Sequence, residues 1–339
     1  MQNLIFNLCS CVGVSGNELN MAQVAIGELE KYAEVKTDHN GNIIATMGKL
    51  SSKKHILLDA HMDQIGLIAT YINDDGFVKI APCGGLDRRV MLGSTIKTVT
   101  DDPIYGVICC LPPHLSDGGE DKAAPVDTLY VDFGMSKNDV EKFISLGDNL
   151  VIHSEPKLLL NNKVAAPALD NRAGVASLIR CAELIHGADI DCKVSILLSS
   201  QEETGALGAA TAAYTLNPDE AIAVDVSFAS QPSVPNEKSG KFGSGPMIGV
   251  APNLSNEVTN TLINLAKSNG ITHQFEIMSS STGTNIDKIC VTRQGIKSGL
   301  LSIPQRYMHT PVEVVCIDDI EQTAQLLAKY ILNGGINNG

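Results

Sequence analysis

Over most of its 339 residues this chain alternates short apolar runs with amphipathic helical patterns, and the alternation breaks once, between about residues 66 and 152. Outside the break, runs at 55–60, 193–199, 221–226 and 299–303 read as strands. Ile56-Leu57-Leu58 suits a strand covered on both faces. Helical spacing appears at 171–186, 205–216, 256–267, 284–293 and 318–332. Strands separated by helices imply a largely parallel sheet, because a parallel connection needs room for a crossover. Inside the break, runs at 67–72, 77–81, 95–100, 104–111 and 128–133 recur with turns between them, and only 137–146 looks helical. The expected fold class is α/β. A mainly parallel sheet with helices on both faces would come from residues 1–66 and 153–339. A small β-rich, barrel-like domain over 67–152 would interrupt it.

The first sixty residues add detail. Ser15-Gly16-Asn17-Glu18 has the pattern of a capping box, with Met21, Val24, Ala25 and Leu29 behind it at helical spacing. Runs at 35–39 and 43–47 flank Gly41-Asn42 and predict a hairpin. Residues 333–339 read as a loose tail.

Charge narrows the classes of partner. Lys and Arg total 25 against 38 Asp and Glu, a formal charge of -13. Nucleic acid and anionic membrane both need a basic footprint, so neither is expected as a partner. No apolar run approaches the ~18 residues of a membrane span. Residues 1–16 carry no Lys or Arg and lack the basic start of a signal peptide. Nine Cys occur without a CxxC pair, which reads as buried thiols in a reducing compartment. The expected location is cytoplasmic.

The chemistry gathers at strand ends, where α/β proteins place their ligands. His61 and Asp63 follow the first core strand, Glu202 and Glu203 follow the second, and Asp225 ends the third. Asp170 precedes a helix, and His309 follows the last strand. Taken singly, each group has an ordinary reading as a helix cap, a turn or a solvated loop. Together they come in order, each at a strand end or helix start. Adjacent Glu202 and Glu203 repel unless a cation lies between them or one stays protonated. Two His with three or four carboxylates suit zinc, cobalt or manganese. One carboxylate shared by two metals would make a cocatalytic site, and one carboxylate must stay off the metals as general base. Asp63 can orient the His61 imidazole.

The ordered set resembles a known family. His61-Met62-Asp63, Asp170-Asn171-Arg172, Gln201-Glu202-Glu203, Val224-Asp225-Val226 and Arg306-Tyr307-Met308-His309-Thr310-Pro311 are similar to the motifs of the tetrahedral, glutamyl or deblocking aminopeptidases, metallopeptidase family forty-two of clan MH. Gly13 to Glu18, Asp38 to Asn42 and Gly283-Thr284 add to the match, which covers nearly the whole chain. The resemblance implies two divalent metal ions per subunit, zinc first, with cobalt or manganese as alternatives. It implies that Asp170 bridges them, that His61 and Asp225 complete one metal, and that Glu203 and His309 complete the other. Glu202 would be the general base and Asp63 would orient His61. The substrates would be short peptides cleaved from a free N-terminus. The inserted domain would mediate dimerisation, and dimers would build a homo-oligomer, up to a tetrahedral dodecamer.

Two positions depart from the family pattern. Gln64 stands where Glu is usual, and Asn285 where Asp is usual. Both remove a negative charge near the site, so a change in substrate preference or α-amine binding is expected. Other classes fit parts of the pattern. They are a related dinuclear amidohydrolase or carboxypeptidase, an endoglucanase, and a non-catalytic metal-binding scaffold. The absence of Trp makes sugar stacking poor.

Overall fold

The computed structural model describes residues 1–112 and 123–336. Helices α1 (Gln2–Ser10) and α2 (Leu19–Leu29) lead into β1 (Glu34–Thr37), β2 (Ile43–Gly48) and β3 (His55–His61). A run of short strands follows: β4 (Gly66–Ile72), β5 (Val78–Cys83), β6 (Thr95–Thr98), β7 (Tyr105–Ile108), β8 (Tyr130–Asp132), the one-turn α3 (Lys137–Val140) and β9 (Asn149–Ile152). Then come β10 (Lys157–Leu159), β11 (Lys163–Ala166), α4 (Leu169–Ile185), β12 (Lys193–Ser199), α5 (Leu207–Leu216) and β13 (Glu220–Phe228). The chain closes with β14 (Met247–Val250), α6 (Asn256–Ser268), β15 (Gln274–Ile277), α7 (Ile286–Ile289), β16 (Lys297–Arg306), β17 (Glu313–Cys316) and α8 (Ile317–Leu332).

The large sheet runs β1-β2-β12-β3-β13-β16-β17-β11-β10, with β14 and β15 joined at β16. Its centre is parallel: β12, β3, β13 and β16 all point the same way. The flanks are antiparallel. Three of these pairs, β1–β2, β10–β11 and β16–β17, are joined by short links, which only antiparallel pairs accept. Every residue of β3 is buried, as its apolar run predicts. Leu58, Ile196, Val224 and Ile303 pack with α4 and α8 on one face. Leu57, Leu197, Ala223 and Leu300 pack with α5 and α7 on the other.

The second sheet is a closed antiparallel barrel, β4-β5-β8-β7-β6-β9, with its own core of Leu67, Val78, Ile80, Ile96, Val131 and Leu150. β4 and β9 pair with each other, so the chain leaves and re-enters the large sheet at one place. The entry is tight. A Cβ at Gly66 would sit 2.7 Å from Val14 Cγ2 and 3.1 Å from the Leu150 carbonyl, so only glycine fits.

Several local expectations change. Residues 137–146 keep one helical turn, and 284–293 shrink to α7. Residues 1–16 contain α1, whose Ile5, Leu8 and Cys9 are buried. The capping box does not form. Ser15 Oγ pairs with Thr204 Oγ1 at 2.9 Å, and Glu18 Oε1 accepts from Gly16 N and Gln201 N. Tertiary partners outcompete the local cap there. Cys9, Cys181, Cys192 and Cys316 are buried, but Cys110 is exposed, and all nine thiols are free. Among the described residues no helix is long and apolar enough to cross a membrane.

The described part of the tail is fastened rather than loose, and residues 337–339 lie outside the described residues. Ile336 N donates to the buried Glu220 carboxylate, Tyr330 Oη donates to it at 2.7 Å, and Lys54 Nζ lies 2.9 Å away. Glu220→Ala should therefore cost about 1–3 kcal/mol, because it strands the Tyr330 hydroxyl in the core. Urea unfolding checks this, and an unchanged midpoint would contradict it.

Candidate metal centre

Parallel strands end on one edge, so the residues that follow them converge. His61 closes β3, beside Ser199 at the end of β12. Two residues beyond Ser200, the chain turns through Glu202 and Glu203. Asp225 lies in β13 opposite Ser302 of β16. His309 sits in the β16–β17 link, and Asp170 opens α4.

All seven residues singled out in the sequence meet here. His61 Nε2 lies 3.1 Å from Asp170 Oδ1, 3.7 Å from Asp225 Oδ1 and 4.0 Å from Glu202 Oε2. His309 Nε2 lies 3.3 Å from Asp170 Oδ2 and 3.6 Å from Glu203 Oε1. The two oxygens of Asp170 thus face two different imidazoles. The side chains sort into three overlapping groups: His61, Asp170 and Asp225; His61, Glu202 and Glu203; Asp170, Glu203 and His309. Within each group the donor atoms lie within 4.8 Å of one another.

The imidazoles are aimed. His61 Nδ1 lies 3.2 Å from the Asp63 carbonyl and 3.4 Å from Asp63 Oδ1. His309 Nδ1 donates to the Gly85 carbonyl at 2.6 Å. A Cβ at Gly85 would stand 3.0 Å from that nitrogen, so a larger residue there would press on the ring. In each ring an acceptor stands ready for a proton on Nδ1, so Nε2 can give up its own proton and offer a lone pair to a cation, which is how a metal-binding histidine is held. Two imidazole nitrogens and buried carboxylate oxygens, crowded with no Lys or Arg in ion-pair reach of them among the described residues, fit divalent cations.

Two carboxylates hold the backbone of this centre. Asp63, fully buried, accepts from Glu202 N at 2.9 Å and Glu203 N at 3.1 Å. Glu313 accepts from His309 N at 2.8 Å and Asp170 N at 3.0 Å. Sequence reasoning missed Glu313, because an acid four residues after His309 reads as a loop residue. Ala168, Gln201, Tyr307 and His309 all adopt left-handed φ near 60°. Each such non-glycine residue costs about 1–3 kcal/mol, so the surrounding contacts must impose it. Within Asp170-Asn171-Arg172 it is Asn171 that caps the helix, its Oδ1 accepting from Gly174 N at 3.0 Å.

Burial pushes the Glu202 and Glu203 carboxyls up to about 8, and neighbouring Asp225 and Asp170 add to it. Burial also raises Asp225. Burial opposes ionisation of Asp170, but hydrogen bonds from His309 and His61 outweigh it and hold the carboxyl below its ordinary range. The bond to Asp170 raises His309 to about 9.

The two sequence departures lie behind the ligands, outside the lining of the main cleft. Gln64 Oε1 accepts from Gly13 N at 3.2 Å and from the buried Arg172 at 3.3 Å. Asn285 donates to Asp59. Asn285 stands back from the cleft, and Gln64 faces a small recess beside Asp170 and Glu203. Both amides are internal braces.

In the metal-free protein, Glu203 and His309 stabilise the fold below their ordinary values of 4.5 and 6.5, and that contribution is lost as pH rises through about 8 and 9. A metal needs Glu203 ionised and His309 neutral, so binding expels protons and tightens with pH up to about 9. Titration of stripped protein with Zn²⁺ at several pH values tests this, and an affinity flat between pH 6 and 8 would contradict it. Glu313→Ala should weaken the metal by ~10–100-fold, the usual effect of losing an outer support, read in the same titration.

A family model described as M42 glutamyl aminopeptidase matches residues 41–326. A lysyl aminopeptidase of Pyrococcus furiosus is 34% identical over 329 residues, covering 94% of this chain and 93% of that protein. An aminopeptidase structure from Desulfurococcus kamchatkensis superposes with a TM-score of 0.91 at 32% identity, covering 98% of this chain and 94% of the other. The TET1 peptidase of Pyrococcus horikoshii, whose structure is described as assembling into a tetrahedron or a large octahedral shell, gives 0.87 at 28% identity, over 97% and 98% of the two chains. With its sequence, its fold and its strand-end cluster of His and carboxylates all in agreement, the chain belongs to the M42 glutamyl aminopeptidase family.

Proposed function

We propose that this chain is a two-metal aminopeptidase that removes N-terminal residues from short peptides. The observation that carries this reading is Asp170, whose two oxygens face His61 and His309 separately. Asp170 would bridge. His61 and Asp225 would complete one site, and Glu203 and His309 the other. Zinc is the first choice, with cobalt or manganese as alternatives. When bound, the two cations would supply Lewis-acid polarisation and water of lowered pKa.

Glu202 is the general base in this reading. Its carboxylate takes a proton from the attacking water as the C–O bond forms. It returns that proton to nitrogen as the C–N bond breaks, so the amine leaves neutral. Its position in the cleft lining, with Asp63 fixing its backbone N–H, supports the role. Asp63 also orients His61. The cleft, about 740 Å³, opens from the centre toward Phe228, Glu237 and the segment 279–284. Its acidic lining favours a free α-ammonium group.

We assign the large sheet (1–66 and 153–339) to catalysis and the barrel (67–152) to dimerisation. Tyr71, Tyr105, Val107 and Phe143 are exposed on the barrel, which supports a partner there. By likeness to the TET1 peptidase, one structure of which is described as a dodecamer, a dimer-based homo-oligomer up to a dodecamer is assigned. The free thiols fit a reducing compartment, and we assign the cytoplasm.

Aminoacyl-p-nitroanilides and short peptides, free or N-acetylated, test the reaction on stripped and metal-restored protein. Release from free N-termini only, and only with metal, is expected. Cleavage of acetylated or C-terminal bonds would favour the amidohydrolase or carboxypeptidase. Chelator-resistant hydrolysis of a glucan would favour the endoglucanase. Inactivity with every metal would leave the scaffold. Glu202→Gln should keep both metals while turnover falls by ~10²–10⁴, whereas His309→Ala should lose metal as well. Near-normal rates in Glu202→Gln with metal bound would remove the general-base assignment.

A further inference from the structure

Asp59 stands two residues before His61 on β3 and is 1% exposed, yet it takes no part in the donor groups of the centre. Its Oδ2 accepts from Asn285 Nδ2 at 3.0 Å. The same amide donates to Ser199 Oγ at 2.8 Å. Asn285 is 2% exposed and Ser199 is fully buried. Three pieces of chain therefore meet: the strand that carries His61, the strand that feeds Glu202 and Glu203, and the segment that ends at Asn285.

That segment is the cleft wall. Residues 279–284 line the space in front of the centre. Asp287 shapes it from within, accepting from Thr282 N at 3.0 Å, Thr282 Oγ1 at 2.7 Å and Gly283 N at 2.9 Å. Those bonds fold the loop on itself, whereas Asn285 fastens it to β3 and β12. Among the described residues, Asp59 Oδ1 and Asn285 Oδ1 have no hydrogen-bond partner. This amide–carboxylate contact is what each side chain has from the other, one oxygen of each staying unpaired. It also places a carboxylate at position 59, facing the position where the resemblance leads one to expect Asp.

We propose that Asp59 and Asn285 form a buried clasp that holds the 279–284 wall at a fixed distance from the metal centre and so governs binding of the peptide's N-terminal residue. They are positioning residues, and the inference rests on the cleft being the peptide site. Removing either partner strands the other. Exchanging them keeps one donor facing one acceptor, and the Ser199 hydroxyl can turn from accepting to donating.

The test compares Asp59→Ala, Asn285→Asp and the exchanged double variant Asp59→Asn/Asn285→Asp, with metal content, kcat and KM measured on aminoacyl-p-nitroanilides. Each single variant should raise KM ~10-fold or more with kcat within about 3-fold and both metals retained, and the double variant should return KM to within about 3-fold. Unchanged KM in the single variants would overturn the clasp. So would a double variant no better than the singles, or a fall in kcat with metal loss at constant KM. Limited proteolysis within 279–284 reads the same clasp without turnover. Faster cutting in the single variants and wild-type rates in the double variant are expected, and equal rates in all four proteins would overturn the proposal. If the wild type cleaves no aminoacyl substrate, the aminopeptidase reading fails by itself and proteolysis still decides the clasp.

Discussion

Concentrated negative charge is the constraint on which the rest of this structure depends. Asp170, Glu202, Glu203 and Asp225 are brought to one edge of the sheet with only two imidazoles among them. Buried like charges so placed cannot all ionise without a counter-charge: burial first, and the neighbouring carboxylates after it, raise Glu202 and Glu203 to about 8. Divalent cations resolve the conflict, and the aimed Nε2 atoms of His61 and His309 are arranged for them. The fold must therefore hold a repulsive cluster in place whether or not the charge is compensated.

It does so through the backbone. Asp63 and Glu313 each accept two main-chain N–H groups, one pair from the Glu202-Glu203 turn and one from Asp170 and His309. A side chain can rotate away from a like charge, but a main chain fixed at two points cannot follow it. The left-handed residues at 168, 201, 307 and 309 belong to the same device, since each turns the chain where an ordinary conformation would carry a ligand out of reach. Arg172 and Gln64 brace the layer behind, tying α1 to α4 through the Leu8 and Cys11 carbonyls.

Much of this was legible in the sequence, for identifiable reasons. β3, β12 and β13 are continuous apolar runs, and a run covered on both faces has few other homes. The clustered acids and histidines were legible because each stands at a strand end or a helix start. What escaped was whatever depends on a distant partner. β14, β15 and β17 are short strands whose pairing comes from the neighbouring sheet rather than from their own pattern. Ser15 and Glu18 look like a local cap but bond to the 201–204 segment instead. Glu313 gave no signal, because its meaning lies in which two N–H groups it reaches. Gln64 and Asn285 were visible as departures, but their direction was not, and both turn inward.

Sequence alone determined the strand and helix alternation and the barrel-like interruption, and it singled out seven residues that the structure brings together. These follow from local periodicity and from residue type at strand ends, properties that one segment carries by itself. Tertiary structure alone decided that Asp170 faces two histidines, that Asp63 and Glu313 clamp the main chain, and that Asn285 reaches Asp59. Those are angles and distances between segments far apart in the chain. They are fixed only when the parallel strands align and bring their ends to one edge.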